Sequence, residues 1–390
     1  MKRILICASR MSHIINFHLP YISYFKSKGY AVDAAAEGAE AHPLIDCCYD
    51  MQFVKNPISA RNLKTTGRLK RLISENKYTM VYSNSTLAGA ALRMAVKQTP
   101  KELRPYCIHI SHGYMFDGSG SPRSVIYRAA EKLTANVTDS LVVMNKTDIE
   151  LARRYKLGKS IYFTNGMGLC RERFPEISSE ERQSFRRGLA LTDSTVIFLC
   201  VGEFSKRKNQ TLLINALERL RLKYKNAALV FAGDGGSLNE CRELAARLEL
   251  NGHIRFLGHT SDVNTLYRSC DVLLSGALME GLPFNVMEAL HCGIPVIASK
   301  IKGHTDLISD GVNGLLFDVN AKDPVSELAG VINSYMKNAG LQKTLKANAF
   351  LDKKYYIESV EPKLLSILDK DFDETQILPR RYPTYEEANT

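Results

Sequence analysis

Two glutamates eight positions apart, Glu280 and Glu288, flank a Gly-Leu-Pro turn and are the residues of this chain best suited to chemistry. The apolar run 271–275 ahead of them predicts a buried strand, and residues 284–292 predict a helix. Glu280 is therefore expected where the strand ends, and Glu288 inside the helix. Pro283 suits the first helical position, and the free backbone N–H groups of a helix start favour an anion. One carboxylate for sugar hydroxyls, one for a ribose and an anion site between them would hold a nucleotide sugar.

This strand–turn–helix resembles the E-x7-E signature of the retaining glycosyltransferases of family four, which have the two-domain GT-B fold. The similarity continues through residues 289–298 and 311–317. The resemblance implies that Glu280 is catalytic and that Glu288 binds the ribose hydroxyls. It also implies that the segment after Glu280 binds the donor, chiefly through its backbone N–H groups, at Gly281, Leu282, Pro283, Phe284 and Asn285, of which Pro283 has no N–H. Taken alone, two glutamates at this spacing also occur by chance on a solvated helix face.

A second motif, residues 201–209, follows a predicted strand and opens a predicted helix. In the family that the chain resembles, a Gly-Arg pair and a later lysine grip the donor diphosphate. Glu203 stands where the family usually has arginine, which removes one expected cation, and Arg207 is a candidate to replace it. Gly202, Arg207 and Lys208 are therefore predicted donor-binding residues. The alternative is that Arg207 and Lys208 are solvated residues of a first helical turn.

The first half of the chain offers candidates for the acceptor. His112 follows a predicted strand, and the resemblance places it beside the donor sugar, where an imidazole would hydrogen-bond the sugar and order the reacting centre. A lone histidine at a strand end is more often structural, and His109 is expected only to pack. Residues 10–18 are expected to form a loop, which is bulky because it lacks glycine. The predicted acceptor-binding residues are His13, Asn16, Phe17 and Asn84.

No metal cofactor is expected. His13 and His18 lack a third partner at ligand spacing, and the only Asp-x-Asp sequence, residues 371–373, lies in the acidic C-terminal tail. Glycosidases need two carboxyl groups flanking one bond, whereas the resemblance gives Glu280 and Glu288 separate ligands. Protein cations and a helix start would then neutralise the leaving diphosphate, and the resemblance implies transfer with retention.

Strands and helices alternate along the chain, which predicts parallel sheets covered on both faces. A length of 390 residues suits two domains, and a polar stretch at 176–184 separates two series of elements. The expected architecture is α/β, with two Rossmann-like, doubly wound domains of the GT-B fold facing a cleft. The acceptor-binding domain is expected at 1–175 and the nucleotide-sugar-binding domain at 176–368, with its last helix a candidate to pack on the first domain. Residues 369–390 are expected to form a tail.

The positive charge of the chain lies in its first half. Residues 1–176 hold 26 Lys and Arg against 14 Asp and Glu, a net of +12, whereas the whole chain carries +11. This asymmetry indicates an anionic partner for that half, and ordinary solubility charge is the alternative. No aromatic-interleaved basic motif favours nucleic acid. An anionic membrane surface or a lipid-linked pyrophosphate acceptor fits better.

Nine cysteines without a C-x-x-C pair favour reduced core residues of a cytoplasmic protein. The apolar run at the N-terminus is too short for a signal peptide, and no run approaches the ~20 apolar residues of a membrane span. The protein is therefore expected in the cytoplasm, with a peripheral position at the inner face of the membrane.

Together these features predict a retaining hexosyltransferase that moves a hexose or N-acetylhexosamine from a UDP-sugar. Residues 13–20 and 84–90 resemble bacterial enzymes of capsular, exopolysaccharide or O-antigen assembly, so the expected acceptor is a polyprenyl-diphosphate-linked saccharide. Two alternatives remain open. One is a nucleotide-sugar 2-epimerase on the same fold, and the other is a non-catalytic protein that binds sugar nucleotides or lipid head groups.

Overall fold

Two units make up the computed structural model, which describes residues 2–54 and 59–371. The first unit contains the described residues up to Gly168 and those from Ile357 onward, and the second runs from Leu169 to Tyr356. The units therefore change at residue 168, whereas the sequence placed a domain boundary at 175, and the last helix belongs to the first unit. Most of the expected tail, from residue 372, lies outside the described residues.

The first unit is built on a seven-stranded sheet in which every strand pairing is parallel. Its strands are β1 Arg3–Arg10, β2 Ala31–Glu37, β3 Cys47–Asp50, β4 Met80–Asn84, β5 Tyr106–Ser111, β6 Ser140–Val143 and β7 Ser160–Phe163. They lie in the order β3-β2-β1-β4-β5-β6-β7. The central strands are buried on both faces, as β4 shows with all its residues buried, which is typical of a parallel sheet covered by helices.

The helices of the first unit follow these strands in turn. They are α1 Met11–Ser27, α2 Ala60–Asn76, α3 Thr86–Gln98, α4 Pro122–Thr134 and α5 Lys146–Tyr155. Leu69 and Ile73 of α2 and Leu92 of α3 pack with Leu5 and Val81 of the sheet in one apolar core. Helix α3 packs against both α2 and α4, so these three helices cover the same face of the sheet.

The second unit has a six-stranded sheet, again with only parallel pairings among its strands. Its strands are β8 Val196–Val201, β9 Ala227–Ala232, β10 Ile254–Phe256, β11 Val272–Ser275, β12 Val296–Ser299 and β13 Gly314–Phe317. They lie in the order β10-β9-β8-β11-β12-β13. The expectation of two parallel α/β sheets is confirmed.

Eight helices of the second unit precede the C-terminal helix. They are α6 Ser179–Gly188, α7 Gln210–Leu220, α8 Leu238–Arg247, α9 Val263–Ser269, α10 Phe284–His291, α11 His304–Leu307, α12 Pro324–Lys337 and α13 Ala339–Ala347, and the chain returns to the first unit with α14 Ile357–Leu368. The core of the second unit joins Phe198, Phe231 and Leu274 of the sheet to Leu213 of α7 and Leu328 of α12.

One sequence-based expectation about local structure was wrong. Residues 10–18 form no loop, because β1 ends at Arg10 and α1 begins at Met11; with no glycine or proline before Pro20, nothing interrupts the helix. Within the polar stretch 176–184, α6 begins at Ser179. Its start has a capping box, in which the Ser178 hydroxyl accepts from the Glu181 N–H and the Glu181 carboxylate accepts from the Ser178 N–H.

Candidate active site

The second sheet has a point where the strand order reverses. From β8 the chain proceeds outward to β9 and β10, and from β11 it proceeds outward in the opposite direction to β12 and β13. Ligands of doubly wound sheets bind at such a point, outside the carboxyl ends of the strands. The loops that follow β8 and β11 both begin there, and they carry Lys208 and Glu280.

Glu280 lies in the loop after β11 and pairs with two cations from the loop after β8. Its Oε1 is 2.7 Å from Nζ of Lys208 and 2.9 Å from Nη1 of Arg207. The Glu280 side chain is only 10% exposed. Burial would raise the pKa of this carboxyl, but the charges of Lys208 and Arg207 outweigh burial and hold the pKa below its ordinary value. Glu280 is therefore ionised at neutral pH.

At 2.7 Å the contact from Lys208 is a charge-assisted hydrogen bond to Oε1 as well as an ion pair. An ionised carboxylate has about four acceptor sites, so Glu280 can accept a hydroxyl group in addition to these cations. The strand before it ends at Ser275, which corrects the expectation that Glu280 lies at the strand end. The intervening residues give the carboxylate its reach toward the other loop.

Hydrogen bonds to backbone carbonyls join the two loops, one from a backbone N–H and two from side chains. The Leu278 N–H donates to the Arg207 carbonyl at 2.8 Å, and Nη1 of Arg207 donates to the Met279 carbonyl at 3.0 Å. The Asn209 amide donates to the Gly276 carbonyl at 3.3 Å. Glu203 is exposed, so the acidic residue in the unusual position takes no part in these contacts. The loops thus hold two cations and one carboxylate as a single preorganised group.

Gly202 adopts a backbone conformation that an L side chain seldom takes, with φ of +143°. A Cβ at this position would lie 3.4 Å from Cε of Lys208. The glycine therefore leaves space for the Lys208 side chain to pass toward Glu280. Lys208 itself precedes α7, which begins at Gln210 after Asn209 in the left-handed region.

Helix α10 begins at Phe284, as predicted, but Pro283 lies just before the helix and not at its first position. Pro283 is the N-cap residue, with an extended backbone at ψ of 121°, and Phe284 is the first helical residue. Pro283 has no side chain that could cap the helix, so the positive end of the helix faces the turn that follows Glu280. The Asn285 amide donates to the Val201 carbonyl at 3.0 Å and accepts from the Val286 N–H. It fastens the helix start to the end of β8.

Glu288 lies one turn into α10 and accepts a hydrogen bond from the hydroxyl of Tyr267 at 2.7 Å. Burial raises the pKa of Glu288, although the Tyr267 hydrogen bond and the positive charge of Arg173 act against burial. Sequence reasoning missed both neighbours. Tyr267 is in α9 and Arg173 lies near the start of the second unit, so no local spacing connects either residue with Glu288.

His304 is another site residue that sequence reasoning missed. It is fully buried, its Nδ1 is 2.8 Å from the Ser299 carbonyl and its Nε2 is 3.1 Å from the Ser275 hydroxyl. Because a carbonyl only accepts, Nδ1 carries the proton and Nε2 accepts from Ser275. Burial lowers the pKa of His304 to about 4, despite the Ser299 bond and the charge of Glu280. This neutral imidazole joins the ends of β11 and β12. The available signal was its position directly after Gly303, in the segment that follows β12.

In the first unit the predicted acceptor residues also lie at a reversal of strand order. That reversal is between β1 and β4. His13 is in the first turn of α1 directly after β1, Asn84 ends β4, and His112 follows β5. The His13 ring lies 4.8 Å from the His112 ring and 5.0 Å from the Phe17 ring, between centroids. Three elements of one sheet edge thus bring these residues together.

The histidines of this cluster are uncharged at neutral pH. Burial lowers the pKa of His13 to about 4, and burial with the charge of His13 lowers the pKa of His112 to about 3. Among the described residues, neither Nε2 atom of these two rings has a hydrogen-bond partner, and neither does the amide group of Asn84. Asn16 is exposed.

His109 is packed inside the first sheet, with its Nδ1 2.9 Å from the Ser83 hydroxyl. Gly89 of α3 is needed for this packing, because a Cβ there would overlap the imidazole ring. Nearby, Ser85 has φ of +74°, in the region that favours glycine, and its hydroxyl lies 2.6 Å from that of Ser9. Strained residues of this kind are concentrated at functional sites.

No group of three or more His, Cys, Asp or Glu side chains within residues 2–54 and 59–371 is arranged to hold a metal ion. Of the Asp-x-Asp sequence in the tail, Phe372 and Asp373 lie outside the described residues. All nine cysteines are unpaired.

Comparison with known proteins identifies the family. A family model described as glycosyl transferases group 1 matches residues 181–352. The putative glycosyltransferase EpsD of Bacillus subtilis strain 168 is 31% identical over 320 residues, which cover 82% of this chain and 84% of the relative. The chain is a group 1 glycosyltransferase. It belongs to family four, whose members are retaining hexosyltransferases with the GT-B fold.

A second relative of this glycosyltransferase comes from Escherichia coli. It is a UDP-Gal:α-D-GlcNAc-diphosphoundecaprenol α-1,3-galactosyltransferase, 24% identical over 76% of both chains. Among solved structures, WaaG, a glycosyltransferase involved in lipopolysaccharide biosynthesis, superposes with a TM-score of 0.73 at 17% identity, covering 94% of this chain and 99% of that one. HepE of Anabaena in complex with UDP and glucose gives 0.71 at 19% identity, with coverage of 94% and 99%. Both structures share the fold of the glycosyltransferase.

Proposed function

We propose that this glycosyltransferase moves a hexose or N-acetylhexosamine from a UDP-sugar to a polyprenyl-diphosphate-linked saccharide, with retention, in the biosynthesis of a surface polysaccharide. The observation that carries the proposal is the group formed by Lys208, Arg207 and Glu280 at the reversal point of the second sheet. Its two cations and one carboxylate leave a net positive charge, which suits a diphosphate beside a sugar.

We propose that the donor diphosphate replaces Glu280 as the ion-pair partner of Lys208 and Arg207. When a diphosphate binds, its oxygens offer Lys208 and Arg207 a stronger partner than Glu280. The Glu280 carboxylate then turns to the sugar hydroxyls, whose hydrogen bonds its two oxygens can accept. The backbone from Gly281 to Asn285 and the positive end of α10 add further anion-binding groups. Arg207 supplies the positive charge that is missing because Glu203 stands where the family usually has arginine.

Glu288 is proposed to hold the ribose. A carboxylate that accepts from two neighbouring hydroxyls forms charge-assisted bonds and fixes the position of the nucleoside. The hydroxyl of Tyr267 at 2.7 Å orients the carboxylate for this role. The distance along α10 between the helix start and Glu288, one turn, suits the separation of a diphosphate from its ribose.

In the first unit, His112 is proposed to contact the donor sugar, and His13, Asn16, Phe17 and Asn84 the acceptor. Because its pKa is about 3, His112 acts as a neutral hydrogen-bonding group and not as a cation. The unpartnered ring nitrogens and the Asn84 amide support contacts with hydroxyl groups, since buried polar atoms are normally paired.

The choice of UDP and of a lipid-linked acceptor rests on the E. coli relative, whose name includes both. Nine unpaired cysteines suit a reducing compartment, so we place the enzyme in the cytoplasm, at the inner face of the membrane. Cationic side chains near the leaving diphosphate take the part of a divalent metal, and transfer should persist in EDTA.

The test is a transfer assay with UDP-galactose, UDP-glucose, UDP-N-acetylglucosamine and GDP-mannose, offered with undecaprenyl-diphosphate-linked N-acetylglucosamine. We expect transfer from one UDP-sugar with the donor's anomeric configuration retained. Glu280→Ala should lower turnover at least a hundredfold, and Glu243→Ala, which changes an exposed glutamate of α8, should not. Transfer from GDP-mannose alone, or UDP-sugar conversion without any acceptor, would contradict the proposal.

A further inference from the structure

Helix α4 presents most of its apolar side chains to solvent, although Tyr127 packs against the core, and the residues that it buries fully are polar. Its buried residues are Ser124, Glu131 and Thr134. On the opposite face Ile126 is 67% exposed and Leu133 is 51% exposed. The exposed row also includes Val125, Ala129 and Ala130. A helix on the surface of a globular protein normally has the reverse arrangement.

Specific polar contacts fix this orientation of α4. Glu131 forms an ion pair with Arg93 of α3 at 2.9 Å, with both side chains almost fully buried. Arg128 donates to the Tyr155 hydroxyl at 3.0 Å. A rotation of α4 that buried Ile126 would break these contacts and leave the Arg93 charge unpaired in the core, which is strongly unfavourable. The fold therefore holds the apolar face of α4 toward solvent.

The exposed charges near this face are mostly positive. The single acidic residue of α4, Glu131, is buried, and Arg123 is exposed. Helix α2, on the same face of the sheet, exposes four cations and one acidic residue, Glu75, along with Leu63. The cations are Arg61, Lys64, Arg68 and Arg71. Apolar and cationic side chains thus share one side of the first unit.

We propose that this docking face, formed by Val125, Ile126, Ala129 and Leu133 of α4 and the four cations of α2, rests on an anionic lipid bilayer. Apolar side chains on a surface helix insert at the boundary between head groups and acyl chains, and nearby cations attract anionic head groups. A nucleic acid would use the cations but not the apolar row, and a protein partner would not require the cations. An anionic lipid surface uses both features.

The proposed binding of the protein to the bilayer is peripheral. No helix within the described part of the chain is both long and apolar enough to cross a membrane. The role of this membrane contact rests on the proposed function, because a polyprenyl-linked acceptor is held in a bilayer. Vesicle binding can nevertheless be measured without donor or acceptor, so the two proposals fail separately.

The experiment is flotation of the full-length protein with vesicles of phosphatidylcholine alone or of phosphatidylcholine with phosphatidylglycerol. We expect flotation with the anionic vesicles and little with the neutral ones. The double variant Ile126→Ser, Leu133→Ser should lower the partition coefficient at least tenfold. The double variant Lys64→Gln, Arg68→Gln should lower it about 30-fold, since each cation near an anionic surface contributes about fivefold.

Matched controls lie in the second unit. Leu222 is 82% exposed and Phe350 is also exposed, so Leu222→Ser, Phe350→Ser removes comparable apolar surface. Lys343→Gln, Lys346→Gln removes the same charge from exposed positions of α13. All four double variants should release UDP from the donor at the rate of the unaltered protein, which shows that they fold.

Equal losses of vesicle binding in the control and docking-face variants would overturn the proposal, as would unchanged binding in the docking-face variants. A dimer that becomes a monomer in Ile126→Ser, Leu133→Ser, in a protein that does not float with anionic vesicles, would assign this face to a second copy of the chain instead.

Discussion

Replacing Lys208 by methionine should lower turnover between a hundredfold and a thousandfold, because it removes a preorganised cation from the leaving diphosphate. It should also destabilise the second unit. The side chains of Lys208 and Glu280 are 15% and 10% exposed. Breaking a buried pair costs about 3–5 kcal/mol when one charge is left alone. Arg207 remains 2.9 Å from Glu280, so we expect a smaller loss of about 2 kcal/mol.

Glu280→Gln completes a double-mutant cycle. The amide leaves Lys208 and Arg207 facing each other without a counter-charge, so this change should cost about 3 kcal/mol. In the double variant, each substitution removes a charge whose partner the other substitution has already removed. The combined loss in the free energy of unfolding should therefore fall short of the sum by about 2 kcal/mol.

The cycle is measured by urea denaturation followed by circular dichroism, since the chain has no tryptophan to report by fluorescence. Lys206→Met is the matched control, because it removes the same charge from an exposed position two residues away. It should change stability by less than about 0.5 kcal/mol and leave turnover unaltered. Stability losses that simply add in the double variant, or normal turnover in Lys208→Met, would refute the reasoning.

Three further predictions concern the histidines and Glu288. Burial lowers the pKa of His13 to about 4 and of His112 to about 3 from an ordinary 6.5, so the unfolded chain binds these protons first. The melting temperature should hold above pH 6.5 and decrease as the pH falls toward 3; an unchanged value from pH 7 to pH 5 would contradict this. His304→Ala should cost about 2 kcal/mol on urea denaturation, because the hydrogen-bonding groups that it joins at the ends of β11 and β12 lose their partner; a change within error would show that they find another. Tyr267→Phe should weaken UDP binding about tenfold, measured by calorimetry, because the Glu288 carboxylate loses the hydrogen bond that orients it. Unaltered affinity would show that Glu288 does not bind the ribose.

The elements that the sequence predicted well are the ones buried on both faces. Central strands such as β4 and β9 are continuous apolar runs, and the regular alternation with helices gave the two parallel sheets. The edge strands β3, β7 and β13 were not predicted. Every residue of β3 and β7 is at least partly exposed, so neither strand has the apolar run that marks a strand in the middle of a parallel sheet.

The candidate active site could also be predicted only in part from the sequence. A local pattern, E-x7-E, marks Glu280 and Glu288, but their partners come from other elements. Tyr267 and His304 reach the site through the order of the strands and the packing of α9 and α11, which no spacing in the sequence reveals. The outward orientation of the apolar face of α4 was equally hidden, because periodicity does not tell which side of a helix faces the core.

A crystal structure of the protein with UDP tests the central claim most directly. The account predicts diphosphate oxygens within hydrogen-bonding distance of Nζ of Lys208 and of the backbone N–H groups at the start of α10, with the ribose hydroxyls on Glu288. A nucleotide bound elsewhere, with Lys208 and Arg207 still paired to Glu280, would contradict it.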